Sequence, residues 1–441
     1  LGSMHGGTFH PRRNRLQRVA MTPPRPTQTP PHASHAAEPV LPLVVVGAGA
    51  AGLTAALFAA RAGADVTLLE SGRRPGVKIL ASGGGRCNVL PSEVQLSDFF
   101  THGSDNAMRN VLRGWPLADV HRFFTEDLGL PLKTEPGGKV FPRSDSARDV
   151  LTALLRACKS AGVHLVTGAR VHALAADGDG IWQLRLDDRP ALRAQRVLLA
   201  TGGLSLPKSG SDGTGWRVVQ QLGHTLTPRF PALVPITMSD AGFAGLAGIS
   251  LRATLEVRDN DRLIAREHGD LLFTHRGLSG PAVLQISHHL ACPGGESRTL
   301  LLRFGEQDWR AALADGRGGR TVASPLRDAL PTRLADLLLS RAGVASDARL
   351  ATLAKPARKA LMRELERCAV PWRGTEGYKT AEVTAGGVPL SELRLKTLES
   401  RVAPGLFLCG ELLDVTGRLG GYNFLWAWVS GRRAGEGAAQ T

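Results

Sequence analysis

Hydrophobic positions along this chain change their period several times, and each change marks an element. Leu43 to Val46 form an unbroken β-branched and aliphatic run, the pattern of a strand buried on both faces. Residues 50 to 63, almost all Ala, Leu and Phe, then have the length and composition of a helix, and Gly63 is placed to end it. Asp65 to Leu69 returns to strand, with Glu70 at its end. Residues 92 to 135 read as helical, and a Pro/Ser turn with Ser144 or Asp145 as cap leads into an amphipathic helix up to 162. Val163 to Val166 and Ala169 to Leu174 read as strands, Asp177 to Gly180 as a hairpin turn, and Arg196 to Gly203 as a second buried strand. Short strands and turns are expected from 237 to 300, charged helices from 305 to 370, and a last buried strand at Gly405 to Gly410 before a final helix.

The first of these units carries chemistry. Gly47, Gly49 and Gly52 stand in G-x-G-x-x-G spacing directly behind a strand and open a helix, which is the dinucleotide-binding fingerprint in its full context. Gly47 allows the tight turn, Gly49 clears the approach to a pyrophosphate, and Gly52 lets the helix pack on the sheet. With Ala48, Ala50 and Ala51 between them, these residues present free N–H groups and the positive end of a helix dipole to an anion. Glu70, eighteen residues after Gly52, is placed to accept the two hydroxyls of an adenosine ribose and to repel a 2′-phosphate, so FAD or NAD is favoured over NADP.

The alternation of strand and helix gives an α/β class, and 441 residues exceed one ordinary domain. The expected organisation is a Rossmann-type, glutathione-reductase-like nucleotide domain made of residues 41–230 and 374–441, interrupted by a mixed β/helical insertion at 231–373. The three-proline stretch 222–236 is the crossing point. Residues 1–40, rich in Pro, His, Thr and Arg without periodicity, are expected to be a disordered tail. No second fingerprint follows, and the Gly/Arg run at 316–320 has no strand before it, so a nicotinamide domain is not expected.

Composition changes this picture little. A formal charge of +15 suggests anionic partners, but five arginines against one acid fall in the first 40 residues. Five scattered cysteines without a C-x-x-C pair suggest neither disulfides nor a metal site, and fit a reducing cytoplasm. No apolar run reaches the roughly 18 to 20 residues of a membrane span.

A second glycine loop, Ser82-Gly83-Gly84-Gly85-Arg86, lets backbone approach a flat or charged ligand, and Arg86 with Lys78 can neutralise a phosphate or an anionic flavin. The fingerprint, the SGGGRCN run at 82–88 and the C-terminal run ELLDVTGRLGGYNFLWAWVSG together resemble the HI0933-like family of bacterial flavoproteins. The resemblance implies FAD bound in extended form, with a separate domain inserted in the nucleotide domain. It implies that Lys139, Arg143 and Asp145 lie near the flavin, and that Val171 meets the adenine. Thr201 and Gly202 are expected close to the cofactor. Beyond the last strand, Gly410 precedes Glu411 and Asp414, of which Asp414 is the preferred ribityl acid. Gly420, Gly421, Tyr422 and Asn423 are expected at the flavin pyrimidine edge. His275 and Arg276, in the GDLLFTHRGLSG signature, are the catalytic candidates. One departure stands out: Arg418 and Leu419 separate Gly417 from Gly420, adding a charge near the ring.

The expected function is an FAD-dependent oxidoreductase that reduces an unsaturated carbonyl compound through flavin N5, with NAD(P)H as transient donor and no metal. Its partner is a small molecule, one branch of the family reducing dehydro-bile acids. Two other classes stay open: a flavin-dependent nucleic-acid (tRNA) modifying enzyme and a non-enzymatic flavin sensor. Oligomeric state is left open as well.

Overall fold

The structure, a computed structural model, describes Gly2, residues 39–314 and residues 319–440. Most of the expected tail, and residues 316–318 of the Gly/Arg run, lie outside the described residues.

β1 (Val40–Val46) runs parallel to β2 (Val66–Glu70) on one side and to the strand Arg189–Leu199 on the other. The strand His164–Thr167 extends the parallel sheet beyond β2, and Leu406–Leu408 extends it beyond Arg189–Leu199. Leu43–Val46, β2, Val197–Leu199 and Leu406–Leu408 are buried on both faces, which explains their continuous apolar runs, whereas His164–Thr167 lies at the partly exposed edge. An antiparallel hairpin, Val171–Ala176 with Trp182–Leu186, is attached to the near end of Arg189–Leu199.

Helix α1 (Ala50–Arg61) and the C-terminal helix Tyr422–Gln440 pack on each other against this sheet. Their approach is close because the contact is made of small residues. A Cβ at Gly431 would press on the Ala51 carbonyl, and one at Gly435 would overlap the Ala55 carbonyl oxygen.

A second sheet lies wholly between Ile236 and Thr375. Its seven strands are antiparallel, in the order Cys368–Val370, Thr299–Phe304, Ser250–Asp259, Arg262–Phe273, Gly277–Ser279, Ile236–Met238, Trp372–Thr375. It has its own apolar core, closed by the helices Thr332–Arg341 and Lys355–Glu366. The chain crosses towards it through Phe230–Ala232 and returns through Val383–Ala385, and these two short strands pair antiparallel. Phe230, Ala232, Leu233, Val383 and Ala385 form a small third core at this seam, with Phe100, Leu284 and Leu419 against it.

Three local expectations change. Short strands are expected after 237, yet Ser250–Asp259 and Arg262–Phe273 are ten and twelve residues long. Their outer faces are open to solvent, and the polar residues there hide the alternation. The helical reading of 92–135 holds for Asp105–Arg113 and Leu117–Arg122, but Leu132–Glu135 is a strand paired with Lys139–Pro142. The helix Ala147–Ser160 starts after Ser146, and Asp145 is held by Lys133 at 2.5 Å instead of capping it. Among the described residues no helix is long and apolar enough to cross a membrane.

The glycine contact between α1 and the last helix is testable. Gly435→Leu raises helix propensity by up to about 1 kcal/mol, yet overpacks the contact, so a net loss of about 2 kcal/mol is expected in urea unfolding. Unchanged stability would show that the two helices separate at little cost.

Candidate active site

The site starts at the C-terminal ends of β1 and β2, where the chain turns into α1. Gly47 N donates to Leu69 O at 2.7 Å, tying the turn to β2. Ala48 N donates to Glu70 Oε2 at 2.9 Å, while Glu70 Oε1 accepts from Gly72 N at 2.7 Å and Ser71 Oγ at 3.2 Å. A Cβ at Gly52 would overlap the Gly47 carbonyl oxygen, whereas the space above Gly49 is open. No side chain caps the first turn of α1, so its N–H groups remain available to an anion.

From this turn a cleft of about 690 Å³ runs between Glu70 and Val171 at one end and Gly420, Gly421 and Asn423 at the other. Its charges are mostly spoken for within the protein. Lys78 Nζ lies 2.6 Å from Glu411 Oε2 and 2.7 Å from Ser205 Oγ. Glu411 Oε1 accepts from Ser205 Oγ and from Thr384 N, both at 2.9 Å. Arg170 pairs with Asp212, which also accepts from Thr214 N at 3.0 Å. Arg86 pairs with Glu135 at 2.9 Å and lies over the Phe141 ring at 4.0 Å, and its acid neighbours raise its pKa above the ordinary arginine value. Arg418 pairs with Glu267, whose pKa burial raises and the Arg418 charge lowers in part. Among the described residues lining the cleft, Arg74 and Lys139 are the cations without an acid partner.

These residues fit FAD. Four buried polar atoms on the cleft wall, Thr201 Oγ1, Ser209 Oγ, Ser211 Oγ and Asn88 Oδ1, have no partner in the protein. Such groups are costly to bury unless something else bonds them, and a long polar ligand with ribose, ribityl and amide groups does so. The donors at α1, the ribose acid Glu70 and the glycine end of the last helix are spaced along one continuous cleft.

Of the predicted residues, Gly47, Gly49, Ala50, Ala51, Glu70, Lys78, Ser82, Gly83, Arg86, Val171, Thr201, Gly202, Glu411, Gly420, Gly421 and Asn423 line this cleft. Ala48 and Gly52 shape its floor without facing it, and Gly84 and Gly85 continue the loop away from it. Gly410 is turned towards Ala51 and the last helix, its N–H donating to Ser430 Oγ at 3.0 Å. Tyr422 packs edge-on to Phe99 outside the cleft wall. Asn423 faces the cleft, but its amide is used on Gly417, accepting from the N–H and donating to the carbonyl at 2.8 Å each. It holds the loop in place.

Two expectations are corrected. Asp414, preferred as the ribityl acid, is only 1% exposed and does not face the cleft. It accepts from His102 N at 2.9 Å and Thr101 Oγ1 at 3.2 Å, and pairs with His102 Nδ1 at 2.9 Å. Glu411, the other candidate, three residues earlier, lines the cleft. His275 and Arg276 are both exposed, on a tight turn closed by Thr274 N to Gly277 O at 2.8 Å. That turn joins two strands of the second sheet and points its side chains to solvent, so neither residue reaches the cleft. Arg143, a weaker candidate, does not line the cleft either, whereas Lys139 does.

Several cleft residues escape sequence reasoning. Ser209, Ser211 and Asp212 belong to a polar glycine-rich loop at 205–216, whose position behind the Thr-Gly-Gly of 201–203 was a usable signal. Glu135 and Glu382 carry no motif of their own. At the seam, the rings of His288 and His289 lie with centres 3.9 Å apart and planes inclined by 39°. Burial first, and for His288 the neighbouring ring second, pushes their pKa values down to about 3 and about 4. Both are neutral at physiological pH. Cys87 is fully buried and its thiol is pushed up to about 12 by burial, so packing accounts for it and a redox role does not.

A parallel nucleotide-binding sheet with this fingerprint, ribose acid and continuous cleft defines an FAD-dependent oxidoreductase of Rossmann type. The chain belongs to the HI0933-like family: the model described as HI0933-like protein Rossmann domain matches residues 41–437. It is 36% identical over 409 residues to a 3-dehydro-bile acid delta(4,6)-reductase of Clostridium scindens, covering 90% of this chain and 98% of that protein. It is 35% identical over 393 residues to a ribosomal RNA dihydrouridine synthase of Escherichia coli, covering 88% and 95% respectively. Among solved structures, the 3-ketosteroid-delta4-(5alpha)-dehydrogenase of Rhodococcus jostii RHA1 shares the fold at a TM-score of 0.50 and 19% identity, covering 92% of this chain and 99% of that one.

Two measurements check the site. Glu70→Gln keeps the side-chain shape but weakens charge-assisted hydrogen bonds, and FAD affinity is expected to fall about tenfold or more, read by flavin fluorescence on reconstitution. Native-state thiol labelling is expected to modify Cys292 first, because Cys87, Cys158, Cys368 and Cys409 are buried. Rapid labelling of Cys87 would contradict the packing of the second glycine loop.

Proposed function

We propose that this protein reduces a carbon–carbon double bond conjugated to a carbonyl, taking its electrons from a reduced nicotinamide nucleotide. The observation that carries the reading is the position of the ring end of the cleft. Gly420 and Gly421 lie beside Arg418 and Leu419, and the wall there is completed by Leu233 and Val383 from the seam between the two sheets. A flat, largely apolar substrate is suited to that wall. The two relatives support the same bond class. A delta(4,6)-reductase of a 3-dehydro-bile acid and a dihydrouridine synthase both concern a C=C conjugated to a carbonyl, although their substrates share nothing else.

Bound FAD supplies the two-electron carrier between donor and substrate. The chain's own residues do the rest. The first turn of α1 holds the pyrophosphate, and Glu70 accepts the ribose hydroxyls. Glu411, fixed by Lys78, Ser205 and Thr384, presents acceptors to the ribityl chain. The N-terminus of the nineteen-residue last helix places its positive dipole end at Gly420 and Gly421, where it would favour negative charge on a bound group. Lys139, without an acid partner, stands beside Gly420. A reducing, cytoplasmic setting belongs to the same reading, and the five cysteines are free.

A second substrate reading, a uracil base within RNA, is favoured by the dihydrouridine synthase relative and by the net charge of +15. The two readings separate in one experiment. The FAD-loaded protein is reduced anaerobically with NADH or NADPH, then mixed with a steroid enone or with ribosomal RNA. Bleaching by either nucleotide followed by reoxidation with the enone is the expected result. Reoxidation by RNA alone, with affinity falling steeply as salt rises, favours the second reading. A flavin that neither nucleotide reduces would overturn the proposed donor.

A further inference from the structure

Five acids line the cleft: Glu70, Glu135, Asp212, Glu382 and Glu411. Four of them are engaged. Glu70 holds the fingerprint turn, Glu135 holds Arg86, Asp212 holds Arg170, and Glu411 holds Lys78. The Glu382 carboxyl alone has no hydrogen bond or ion pair among the described residues.

Its place in the fold is specific. Glu382 precedes the return strand Val383–Ala385, and its N–H donates to Leu233 O at 3.2 Å. That bond belongs to the two-stranded ribbon on which the chain passes between the sheets. Leu233 and Val383, its neighbours across and along the ribbon, line the same cleft. Leu233 holds a φ of +52°, a left-handed conformation that costs energy for a leucine and persists only where its surroundings enforce it. The Glu382 side chain lines the cleft and is exposed to solvent there.

We propose that Glu382 is the acid that protonates the substrate's α-carbon, a role that rests on the conjugated-carbonyl reading given above. Addition of H₂ across such a bond needs a hydride at the β-carbon and a proton at the α-carbon. The hydride originates in the reduced nicotinamide and arrives through the cofactor. As the C=C bond is lost, the O–H bond of Glu382 breaks, its proton forms the new C–H bond at the α-carbon, and the carboxylate that remains takes a proton from water. The balance is enone, NAD(P)H and one proton giving saturated carbonyl and NAD(P)⁺. Desolvation where the carboxyl lies against the cleft wall raises its pKa above the usual glutamate range, against the pull of the Lys78 charge. Of the other groups that carry protons nearby, Lys78 bridges Glu411 and Ser205, His102 is bound to Asp414 off the cleft, and Lys139, unpaired among the described residues, lies beside Gly420, where it is the competing donor the Glu382 variants test.

The test uses the FAD-loaded holoprotein and the variants Glu382→Gln and Glu382→Asp, with 4-androstene-3,17-dione and cyclohex-2-en-1-one as enone probes. Ferricyanide serves as an acceptor that takes electrons without forming a C–H bond. Glu382→Gln is expected to retain FAD and to be reduced by the nicotinamide as the parent is. Its reoxidation by the enones should slow by about 10² to 10⁴, with the ferricyanide rate within twofold of the parent's. Glu382→Asp should recover part of the loss. In D₂O the parent's product should carry one solvent deuterium at the α-carbon, and the limb of the pH–rate profile that falls at high pH should vanish in Glu382→Gln. Equal enone rates in parent and Glu382→Gln overturn this assignment while leaving the enone reading intact. Loss of FAD from Glu382→Gln also overturns it, by making the residue a cofactor ligand. A parent that ferricyanide reoxidises but no enone does overturns the substrate reading and this assignment together.

Discussion

The structure depends on one carboxylate holding a turn of backbone. Glu70 accepts from the N–H of Ala48 with one oxygen and from Gly72 and Ser71 with the other, joining the end of β2 to the loop between β1 and α1. An acid that only recognised ribose would need no such bonds. Here the group fixes the conformation in which the N–H groups of α1 face the cleft. The parallel pairing of β1 with β2 and with Arg189–Leu199 makes that arrangement rigid, because each strand is held on both edges.

A second constraint acts at the other end of the cleft. Arg418 reaches Glu267 of the second sheet, and Leu419 N donates to Gln285 Oε1 at 2.8 Å. The loop between Gly417 and Gly420 is thus held from both sides, by Asn423 on one and by Glu267 of the second sheet and Gln285 of the helix Pro281–Ile286 on the other. The charge that stood out as a departure in the sequence is neutralised by Glu267 and contributes to joining the two sheets. Its carboxylate partner is itself partly buried, and ion pairs of that kind contribute more to geometry than to net stability.

What could be read from the sequence divides along physical lines. The nucleotide half was legible because its chemistry is done by backbone: glycines with forced conformations, a helix N-terminus, and an acid at a fixed distance along one βαβ unit. Gly47, Glu70, Thr201 and Gly420 carry signals local in sequence. Asp414 shows where this reasoning stops. Glu411 and Asp414 lie three residues apart on one turn, and either suits a ribityl chain. The choice between them is made by His102 and Thr101, more than 300 residues away, which bury one carboxylate and leave the other facing the cleft. His275 and Arg276 fail for a similar reason. A basic pair before a glycine reads as a site, but antiparallel pairing of the strands on either side turns both side chains to solvent.

The substrate half has no local signal because it is assembled from long-range contacts. Leu233 and Glu382 are 149 positions apart, and they meet only because the chain must leave the first sheet and return to it beside its own exit. Pairing of Phe230–Ala232 with Val383–Ala385 satisfies the backbone groups of both crossings, as buried extended chain requires. The ribbon therefore exists for reasons of backbone hydrogen bonding, whatever the second sheet contains. Residues flanking it, Leu233, Glu382 and Val383 among them, are delivered to the wall of the cleft.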